Sequence, residues 1–427
     1  MTFYRNINHI DDIQHCFPHD EMILLESQMQ GHPSSVRSFA AVRPKNWIIA
    51  RENRIEQQFN GNLSSFKMNP WDALSNFRNK INGWLFGYLG YDLKNHIEKV
   101  QSQNPAVVDL PDMYFMEPEK LFVIDNEGLR QVSGESVEIP ENIDENLRLT
   151  VNGFEADIKK EEYVENVLDI QKHIKNGDFY ELNYSFPMMG KFDGNPYDLY
   201  RKMRKINPVP FGAFLSIGNF SAACASPERF LEKRGSKIRS EPIKGTTERA
   251  EDNQLDLLRK EELLNEKNRA ENLMIVDLVR HDISRIAKTG SVNVSKLYDV
   301  QTFGTVHQLI SAVEAEVEDN TDPVSIIKSC FPMGSMTGAP KIEVMKCIDL
   351  FEHYKRGLYS GAIGYFTPDG DFDFNVVIRT AIMQNGRLVY PVGGAITSDS
   401  IPEKEWEETE IKSRSITKVF EENVTRT

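Results

Sequence analysis

Carboxylates on two predicted helices could hold a cation. Glu405, Glu408 and Lys412 lie at positions i, i+3 and i+7 of the last predicted helix, which places them on one face. Glu271 interrupts an otherwise apolar stripe of an earlier predicted helix, and a buried carboxylate is costly unless it has a partner. Two helices that each aim a carboxylate inward would suit Mg²⁺, which prefers oxygen ligands and keeps several waters. Taken singly, the last helix is better explained by a solvated, salt-bridged face, and a rim position is the alternative for Glu271.

Other residues suggest an acid, a nucleophile and a binding group. Glu228 stands in a turn that leads into a strand. Lys244 lies between an apolar residue and a glycine; if desolvated, its pKa would be lowered and it could act as a base or nucleophile. Arg379 ends an apolar strand and could clamp a carboxylate through its planar fork. The alternatives are an exposed lysine, an edge arginine and, for His307, a core histidine with satisfied hydrogen bonds.

Two glycine-containing loops could approach a ligand closely. Residues 334–341, GSMTGAPK, place Thr337 just before a predicted helix, where backbone N–H groups could bind an anion. The spacing differs from that of a Walker A loop, which disfavours a nucleotide phosphate. Gly393 and Gly394 end a strand just before the acidic helix, and Tyr359 precedes another strand of small residues. An ordinary capped turn is the alternative for residues 334–341.

The composition narrows the class of protein. The chain has 427 residues, 40% hydrophobic and 27% charged, which fits one large globular domain or two ordinary ones. A net charge of -14 without a Lys/Arg-rich run argues against a nucleic-acid partner. No apolar h-region opens the chain and no run of 18 apolar residues occurs, so neither secretion nor a membrane span is expected. Four isolated cysteines fit a reducing compartment, and we expect the cytoplasm.

The hydrophobic periodicity predicts helices and hairpins without a regular βαβ alternation. Helices are expected at about 163–176, 252–287, 340–356 and 402–421. Residues 358–397 predict strands joined by hairpin turns at Pro368-Asp369-Gly370 and Asn385-Gly386. This mixture favours an α+β fold with large antiparallel sheets. A polar, turn-rich stretch at 126–156 suggests two parts, residues 1–150 and 151–427.

Ten sequence blocks occur in a fixed order in the second part. They are GDFYELNYS (177–185), NPVPF (207–211), ASPERF (225–230), PIKGT (242–246), AENLMIVDLVR (270–280), TVHQLIS (305–311), FPMGSMTGAPK (331–341), GLYSGAIGY (357–365), NVVIRT (375–380) and EWEET (405–409). In these blocks the chain resembles the chorismate-utilising enzymes. The resemblance covers about residues 155–420, and GYLGYD (87–92) extends it into the first part.

The resemblance implies a fold, a metal and an acid. Two large, facing mixed or antiparallel sheets would carry helices on their outer sides, with the site between the sheets. Mg²⁺ would be held by Glu271 and Glu408, with Glu405 close by through water, and would bridge to the ring carboxylate of chorismate. Glu228 would protonate the leaving C4 hydroxyl, and His307 would line the ring site. Residues 1–150 would form the N-terminal portion of the sheets, and residues 151–427 the chorismate-binding catalytic domain.

The resemblance also implies the groups that bind the substrate. They are Thr337, Tyr359, Arg379, Gly393, Gly394 and Lys412. Arg379 and Tyr359 would bind the enolpyruvyl carboxylate with help from the glycine backbone. Lys412 and Thr337 would lie beside the metal-bound and ring carboxylates. Residues 24–27 and 207–210 are similar to segments that hold tryptophan in anthranilate-forming relatives, with a purely structural role as the alternative.

Lys244 separates the branches of this family. Relatives that form anthranilate usually carry alanine in the PIxGT block, whereas those that form 4-amino-4-deoxychorismate usually carry lysine. A lysine amine can attack C2 while the C4 hydroxyl leaves, and ammonia can then enter at C4 and expel the lysine. PIKGT therefore predicts amination at C4, towards para-aminobenzoate and folate. Ammonia would come from a separate glutamine amidotransferase subunit.

Three alternatives remain beside this prediction. Anthranilate synthase component I and an isochorismate-type enzyme belong to the same family and differ in product. A scaffold that only binds an amidotransferase belongs to another class. Such a scaffold would be expected to lose its site carboxylates, whereas this chain keeps Glu228, Glu271, Glu405 and Glu408.

Overall fold

The structure, a computed structural model, describes residues 2–4, 10–29, 37–138, 149–303 and 306–421. Its α-helices are α1 (Ile10–Cys16), α2 (Pro70–Arg78), α3 (Lys160–Asn176), α4 (Pro196–Ile206), α5 (Asn253–Glu262), α6 (Glu266–Ser284), α7 (Pro323–Cys330), α8 (Lys341–Phe351) and α9 (Pro402–Glu421). Short 3₁₀ turns span Tyr91–His96 and Gly334–Met336. Among the residues in these ranges, no helix combines the length and apolarity that a membrane crossing would need.

The strands are distributed over the whole chain. They are β1 (Thr2–Tyr4), β2 (Met22–Glu26), β3 (Ser38–Arg51), β4 (Arg54–Phe59), β5 (Asn62–Lys67), β6 (Leu85–Leu89), β7 (Met113–Asp125), β8 (Gly128–Ser133), β9 (Leu149–Ala156), β10 (Glu181–Gly194), β11 (Phe211–Ile217), β12 (Phe220–Ser226), β13 (Arg229–Arg234), β14 (Lys237–Glu241), β15 (Ile243–Glu248), β16 (Asn293–Thr302), β17 (Val306–Glu316), β18 (Gly338–Ala339), β19 (Ala362–Phe366), β20 (Phe372–Asn375), β21 (Thr380–Gln384) and β22 (Arg387–Ile396).

Antiparallel pairing joins these strands into two layers. The first runs β2–β11–β12–β21–β22–β10–β9. The second runs β6–β19–β20–β13–β14–β17, and β17 also pairs with β15 and β16. The long strands β3 and β7 pair with each other and belong to both layers, because β3 pairs with β2 and β4 through its two halves and β7 pairs with β8 and β6.

Three hydrophobic cores show how the layers are stacked. One contains side chains from both layers and from no helix, such as Ala222 of β12 and Ile363 of β19. Ala223 of β12 points the other way, into a core shared with helices α1, α3, α4, α8 and α9. Helices α2, α6 and α7 cover the second layer. Side chains therefore alternate between the inter-sheet core and a helical face, which confirms the predicted α+β fold of two facing sheets with helices outside.

The two predicted parts share their sheets. Strand β2 pairs with β11, and β6 pairs with β19, so strands from residues 1–150 extend layers built from residues 151–427. Residues 139–148, beside the predicted boundary, lie outside the described ranges. The division at residue 150 stays a prediction.

The predicted helices are largely confirmed. Helix α3 ends at Gly177, which has a φ of 86° and is the left-handed cap that the sequence indicated. The helical region predicted over 252–287 is confirmed but is divided into α5 and α6, because the side chain of Asn265 accepts a hydrogen bond from the Asn268 N–H and starts a new helix there. Helix α8 is shorter than predicted, and α9 has the predicted limits.

Candidate active site

Two chain crossings between the layers bring an acid and an arginine together. Glu228 lies in the turn where the chain passes from β12 in the first layer to β13 in the second, and Arg379 lies where it returns from β20 to β21. The crossings are joined by hydrogen bonds from the Val376 N–H to the Glu228 carbonyl (3.0 Å) and from the Ala225 N–H to the Arg379 carbonyl (3.1 Å). The topology thus makes neighbours of residues about 150 positions apart.

The Glu228 carboxyl has the properties of a general acid. It is buried, and this burial raises its pKa to about 7; a hydrogen bond from Ser335 and the charges of Lys244 and Arg379 partly offset the rise. A carboxyl with a pKa near neutrality can be protonated before the reaction and ionised after it. The structure therefore supplies the environment that an acid at this position needs.

Arg379 is half-buried, and in the described ranges its side chain has no fixed partner. Its backbone is left-handed, with a φ of 51°, and burial lowers the pKa of its guanidinium despite the charges of Tyr390 and Glu228. Within the part of the chain that the structure describes, the guanidinium makes no hydrogen bond or ion pair. A partly desolvated cation without a counter-ion is costly, so this fork is available for an anionic ligand. Tyr359, the other predicted clamp, is also buried, and burial raises its pKa.

Lys244 meets two carboxylates. Its Nζ on β15 lies 3.4 Å from Glu181 Oε1 on β10 and 3.5 Å from Glu271 Oε2 on α6. Burial alone would lower the pKa of Lys244, but Glu181, Glu271 and Glu408 outweigh it and raise this pKa above its ordinary value. The expected lowering of the pKa is therefore wrong. Carboxylates from two other elements keep the ammonium charged, so an attacking amine must first lose that proton.

The predicted metal ligands on α6 and α9 face each other across a lysine. Lys267 Nζ lies 3.8 Å from Glu271 Oε1 on α6 and 4.0 Å from Glu405 Oε1 on α9. The Glu405 carboxylate is buried, and burial together with the nearby charge of Glu408 raises its pKa. One cation therefore already lies between carboxylates from the two helices.

Glu408 is paired within α9. Lys412 Nζ lies 2.8 Å from Glu408 Oε1 and donates a hydrogen bond to the Gly393 carbonyl at 2.8 Å. A Cβ built on Gly394 would lie 3.5 Å from Lys412 Nζ, 3.7 Å from Glu408 Oε1 and 3.8 Å from Glu405 Oε2. Gly394 thus opens the strand towards this charged cluster. Gly393 meets a different constraint, because its Cβ would lie 2.3 Å from the Tyr184 carbonyl on β10.

The chemistry of these carboxylates fits Mg²⁺. In the described ranges, no group of three or more His, Cys, Asp and Glu side chains is already gathered as metal ligands. Mg²⁺ does not need such a cage, since one or two carboxylates with waters and substrate oxygens complete its coordination. Glu271 and Glu405 lie on either side of a lysine ammonium, so the gap accommodates positive charge. The metal itself stays a prediction.

Thr337 and His307 already have protein partners. The Thr337 hydroxyl is buried and donates to the Met333 carbonyl at 3.2 Å. The His307 ring uses both nitrogens, with Nδ1 2.9 Å from Thr302 Oγ1 and Nε2 3.0 Å from Asp256 Oδ1. For His307, this is the geometry expected of a satisfied buried histidine. The predicted roles of both residues towards a substrate stay predictions.

The sequence analysis missed four residues around this site. They are Glu181, Ser335, Glu352 and Arg356. The signal for Glu181 was available: residues 181, 183 and 185 alternate along β10 and so share one face. The partners of Arg356 include carbonyls of Asn183 and Met336, which are remote in sequence, so no local pattern indicated them.

A cavity of about 640 Å³ lies apart from the predicted site residues. It is lined by residues of the 24–27 and 207–210 segments, among them Leu25, Ser27 and Pro210. Trp84 also borders this cavity and packs against Phe39, with ring centroids 5.4 Å apart. These segments therefore border open space, and the tryptophan-holding role that the sequence suggested for them stays a prediction.

Comparison with known proteins gives the family. The sequence profile of the chorismate binding enzyme family matches residues 20–418. An aminodeoxychorismate synthase of Streptomyces griseus is 42% identical over 66% of this chain but only 39% of its own length. Aminodeoxychorismate synthase component 1 of Bacillus subtilis (strain 168) is 30% identical over 93% of this chain and 91% of its own. The crystal structure of anthranilate synthase component I from Streptococcus pneumoniae TIGR4 superposes with a TM-score of 0.80 at 28% identity, covering 97% of this chain and 100% of that one. This chain belongs to the family of chorismate binding enzymes.

Proposed function

We propose that the protein aminates chorismate at C4 with ammonia and forms 4-amino-4-deoxychorismate. The observation that carries this proposal is the position of Lys244, whose Nζ lies beside Glu271 and within the electrostatic reach of Glu228. A candidate nucleophile on β15 and a candidate acid in the turn between β12 and β13 thus lie within electrostatic reach of each other. The similarity to aminodeoxychorismate synthases supports the same reaction.

The substrate's carboxylates would be met by the predicted binding groups. The Arg379 fork would bind the enolpyruvyl carboxylate beside Tyr359, with the backbone at Gly393 and Gly394 closing that side. Lys412 and Thr337 would lie near the ring carboxylate. Mg²⁺, held by Glu271 and Glu408 with Glu405 through water, would neutralise that carboxylate and fix the ring.

The covalent route uses Lys244 and Glu228 together. The free Lys244 amine forms a bond to C2, both ring double bonds shift by one position, and the C4–O bond breaks. Glu228 donates its proton to the departing hydroxyl, which leaves as water. Ammonia then bonds to C4, both double bonds shift back, and the C2–N bond breaks with its electron pair returning to Lys244. The proton that the new C4 ammonium loses returns to Glu228. Two displacements of moderate difficulty replace a single difficult one.

Ammonia would reach the site from a separate subunit. The Bacillus subtilis relative is called component 1, which implies a second component, and a glutamine amidotransferase is the class of enzyme that releases ammonia. The chain spans less than half of the Streptomyces griseus relative, so the organisation of such longer proteins is not transferred to it.

Anthranilate formation is the second candidate, because an anthranilate synthase component I has the same fold over the whole chain. That reaction adds ammonia at C2, where the amine of Lys244 would be in the way. An isochorismate-type reaction, in which water attacks C2, meets the same obstacle. The lysine therefore favours attack at C4 over both.

Product identification tests the proposal. Chorismate, Mg²⁺ and ammonium should give 4-amino-4-deoxychorismate by mass spectrometry. Without ammonia, the intact protein should gain the mass of chorismate minus water, and peptide mapping should place the adduct on Lys244. Lys267 is the internal control, because it lies beside the same Glu271 but is largely exposed and should stay unmodified.

The Lys244→Ala variant completes the test. It should bind chorismate, form no adduct and lose C4 amination by on the order of 10³-fold or more, since a residue that forms the bond is removed. Wild-type C4 amination by this variant, or anthranilate as the main wild-type product, would reject the proposal.

A further inference from the structure

The Glu181 carboxylate approaches Lys244 from a rigid strand. At Glu181, β10 pairs with β18, and the two backbones pack so closely that a Cβ on Gly338 would lie 2.0 Å from the Glu181 carbonyl oxygen. The side chain of Glu181 is 0% exposed, whereas that of Glu271, the other carboxylate beside Lys244, is 17% exposed. Packing therefore restrains both the backbone and the carboxylate of Glu181.

In the described ranges, Lys244 is the one partner of the Glu181 carboxylate. Lys244 Nζ donates a hydrogen bond to Glu181 Oε1 at 3.4 Å, and Oε2 is buried without a hydrogen-bond partner. Glu271 is shared instead, because it also lies 3.8 Å from Lys267 Nζ and is a predicted ligand of Mg²⁺. A buried carboxylate with unused hydrogen-bonding capacity costs free energy. This cost is accounted for if the carboxylate acts on Lys244.

The Lys244 amine needs a partner to fix its position. Lysine is a long flexible stem that ends in a point charge, and the Lys244 side chain is 18% exposed. Gly245 follows it with a φ of 87°, and the register of β15 against β17 shifts here. In the part of the chain that the structure describes, the ion-pair partners of Nζ are Glu181 on β10 and Glu271 on α6. Loss of Glu181 would leave the amine to Glu271 alone.

We propose that Glu181 positions the Lys244 amine at C2 of chorismate and thereby determines which ring carbon is aminated. This inference rests on the proposed function, in which the amine bonds to C2 and ammonia enters at C4. An amine that is held at C2 also blocks ammonia from that carbon. Glu181 itself takes part in no bond change. Without its hydrogen bond, the amine would be drawn towards Glu271, and C2 would be open to ammonia.

The test compares two variants of Glu181. Glu181→Gln keeps an acceptor oxygen in place but removes the charge, whereas Glu181→Asp keeps the charge but withdraws it by one methylene. Without ammonia, Glu181→Asp should form the Lys244 adduct on the order of 10²-fold more slowly than wild type, because a small misplacement of a reacting atom has an effect of this size. Glu181→Gln should stay within about tenfold of the wild-type rate, since the hydrogen bond is kept. A time course of intact-protein mass spectrometry measures both rates.

The products give a second readout that a purely structural role would not move. With ammonium present, Glu181→Asp should release a product aminated at C2 beside the one aminated at C4, whereas Glu181→Gln should aminate C4. Glu352→Gln is the matched control, because it changes a buried glutamate that in the described ranges contacts Arg356 rather than Lys244. It should aminate C4 as wild type does, since the ratio of products does not depend on how much of the enzyme is folded.

The two variants also decide between position and charge. A Glu181→Asp enzyme that forms the adduct at the wild-type rate, or that aminates C4 alone, would overturn the inference. A Glu181→Gln enzyme slower than Glu181→Asp would overturn it as well, because charge rather than position would then be what Lys244 needs.

The wild-type enzyme distinguishes failure of this inference from failure of the proposed function. If wild type forms the Lys244 adduct and aminates C4, an unaffected Glu181→Asp enzyme overturns only the role of Glu181. If wild type forms no adduct on Lys244, the covalent route is rejected, and the role of Glu181 is rejected with it.

Discussion

Two ion pairs, each with a buried glutamate, lie beside strand β10 and differ in how completely they are hydrogen-bonded. We call the Glu352–Arg356 pair closed, because both carboxylate oxygens and all three guanidinium nitrogens have hydrogen-bond partners in the protein. Arg356 donates to both carboxylate oxygens of Glu352, at 2.6 and 2.8 Å, and to the carbonyls of Met336 and Asn183. Glu352 Oε1 also accepts from the N–H and the hydroxyl of Ser185. Every charged group of this pair is used by the protein.

We call the Glu181–Lys244 pair open, because part of its hydrogen-bonding capacity is unused. Its one contact is a 3.4 Å approach of Lys244 Nζ to Glu181 Oε1, and in the described part of the chain Glu181 Oε2 has no hydrogen-bond partner although the residue is fully buried. Burial raises the pKa of Glu181. A buried polar group without a partner costs free energy, and such costs concentrate where a ligand or a reaction is expected. The comparison indicates that the closed pair maintains the fold and the open pair belongs to the site.

Breaking the closed pair should have the largest effect on stability. Arg356→Met leaves Glu352 buried without its cation and leaves two carbonyls without donors. We expect a loss of about 3–5 kcal/mol in the free energy of unfolding, measured by urea denaturation. Arg280→Met is the control, because its ion pair with Asp277 is exposed and should be worth less than about 1 kcal/mol. A loss for Arg356→Met as small as that of the control would contradict the assignment.

Replacing Glu228 should stabilise the protein, in contrast to the loss of stability expected for Arg356→Met. Its pKa of about 7 in the folded protein lies above its ordinary value, so the stability that it contributes is complete at low pH and is lost as pH rises through 7. At pH 8 the native state contains a buried, ionised carboxylate. Glu228→Gln should therefore stabilise the protein by about 3 kcal/mol at pH 8 and hardly at all at pH 4. Equal effects at both pH values would show that ionisation is not the cause.

Arg379→Lys should weaken substrate binding without destabilising the fold. In the described ranges the guanidinium has no hydrogen-bond or ion-pair partner to lose, whereas its bidentate contact with a carboxylate cannot be reproduced by an ammonium. We expect KM for chorismate to rise by a factor that corresponds to about 1–3 kcal/mol. The free energy of unfolding, measured in parallel, should stay within about 1 kcal/mol of wild type. An unchanged KM would mean that Arg379 does not bind the substrate.

The features that could be predicted from the sequence are those that depend on neighbouring residues or on sequence blocks shared with the family. The hairpin at Asn385-Gly386 and the limits of α9 follow from turn residues and periodicity, and the structure confirms them. The blocks around Glu271 and Glu405 are long enough to identify the family, and the resemblance to that family implied that these two carboxylates lie near each other. These features depend on neighbours in sequence or on a pattern that is read as a unit.

What depended on distant neighbours was not predicted. The pKa of Lys244 was expected to fall because burial was the only visible cause, but Glu181 and Glu271 reach it from β10 and α6 and reverse the sign. The break between α5 and α6 was missed for another reason. Asn265 is a local capping signal, and it was overlooked inside a continuous apolar period.

The smallest expected effect is the sharpest test of the comparison. Glu181→Gln and Glu352→Gln are the same chemical change at two buried glutamates, which are 0% and 2% exposed. Glu352→Gln weakens a carboxylate that accepts four hydrogen bonds, so we expect a loss of about 3 kcal/mol.

Glu181→Gln removes a carboxylate that has one long contact and an unused oxygen. The amide oxygen can still accept a hydrogen bond from Lys244. The lysine also retains the Glu271 carboxylate as a counter-ion at 3.5 Å and is not fully buried. Burial raises the pKa of Glu181, so its ionised form costs stability as pH rises, and replacing it with a neutral amide offsets the lost contact. We therefore expect the free energy of unfolding of Glu181→Gln to stay within about 1 kcal/mol of wild type at pH 8. Equal losses in the two variants, measured by denaturation under the same conditions, would mean that both pairs maintain the fold and that the open pair has no special place in the site.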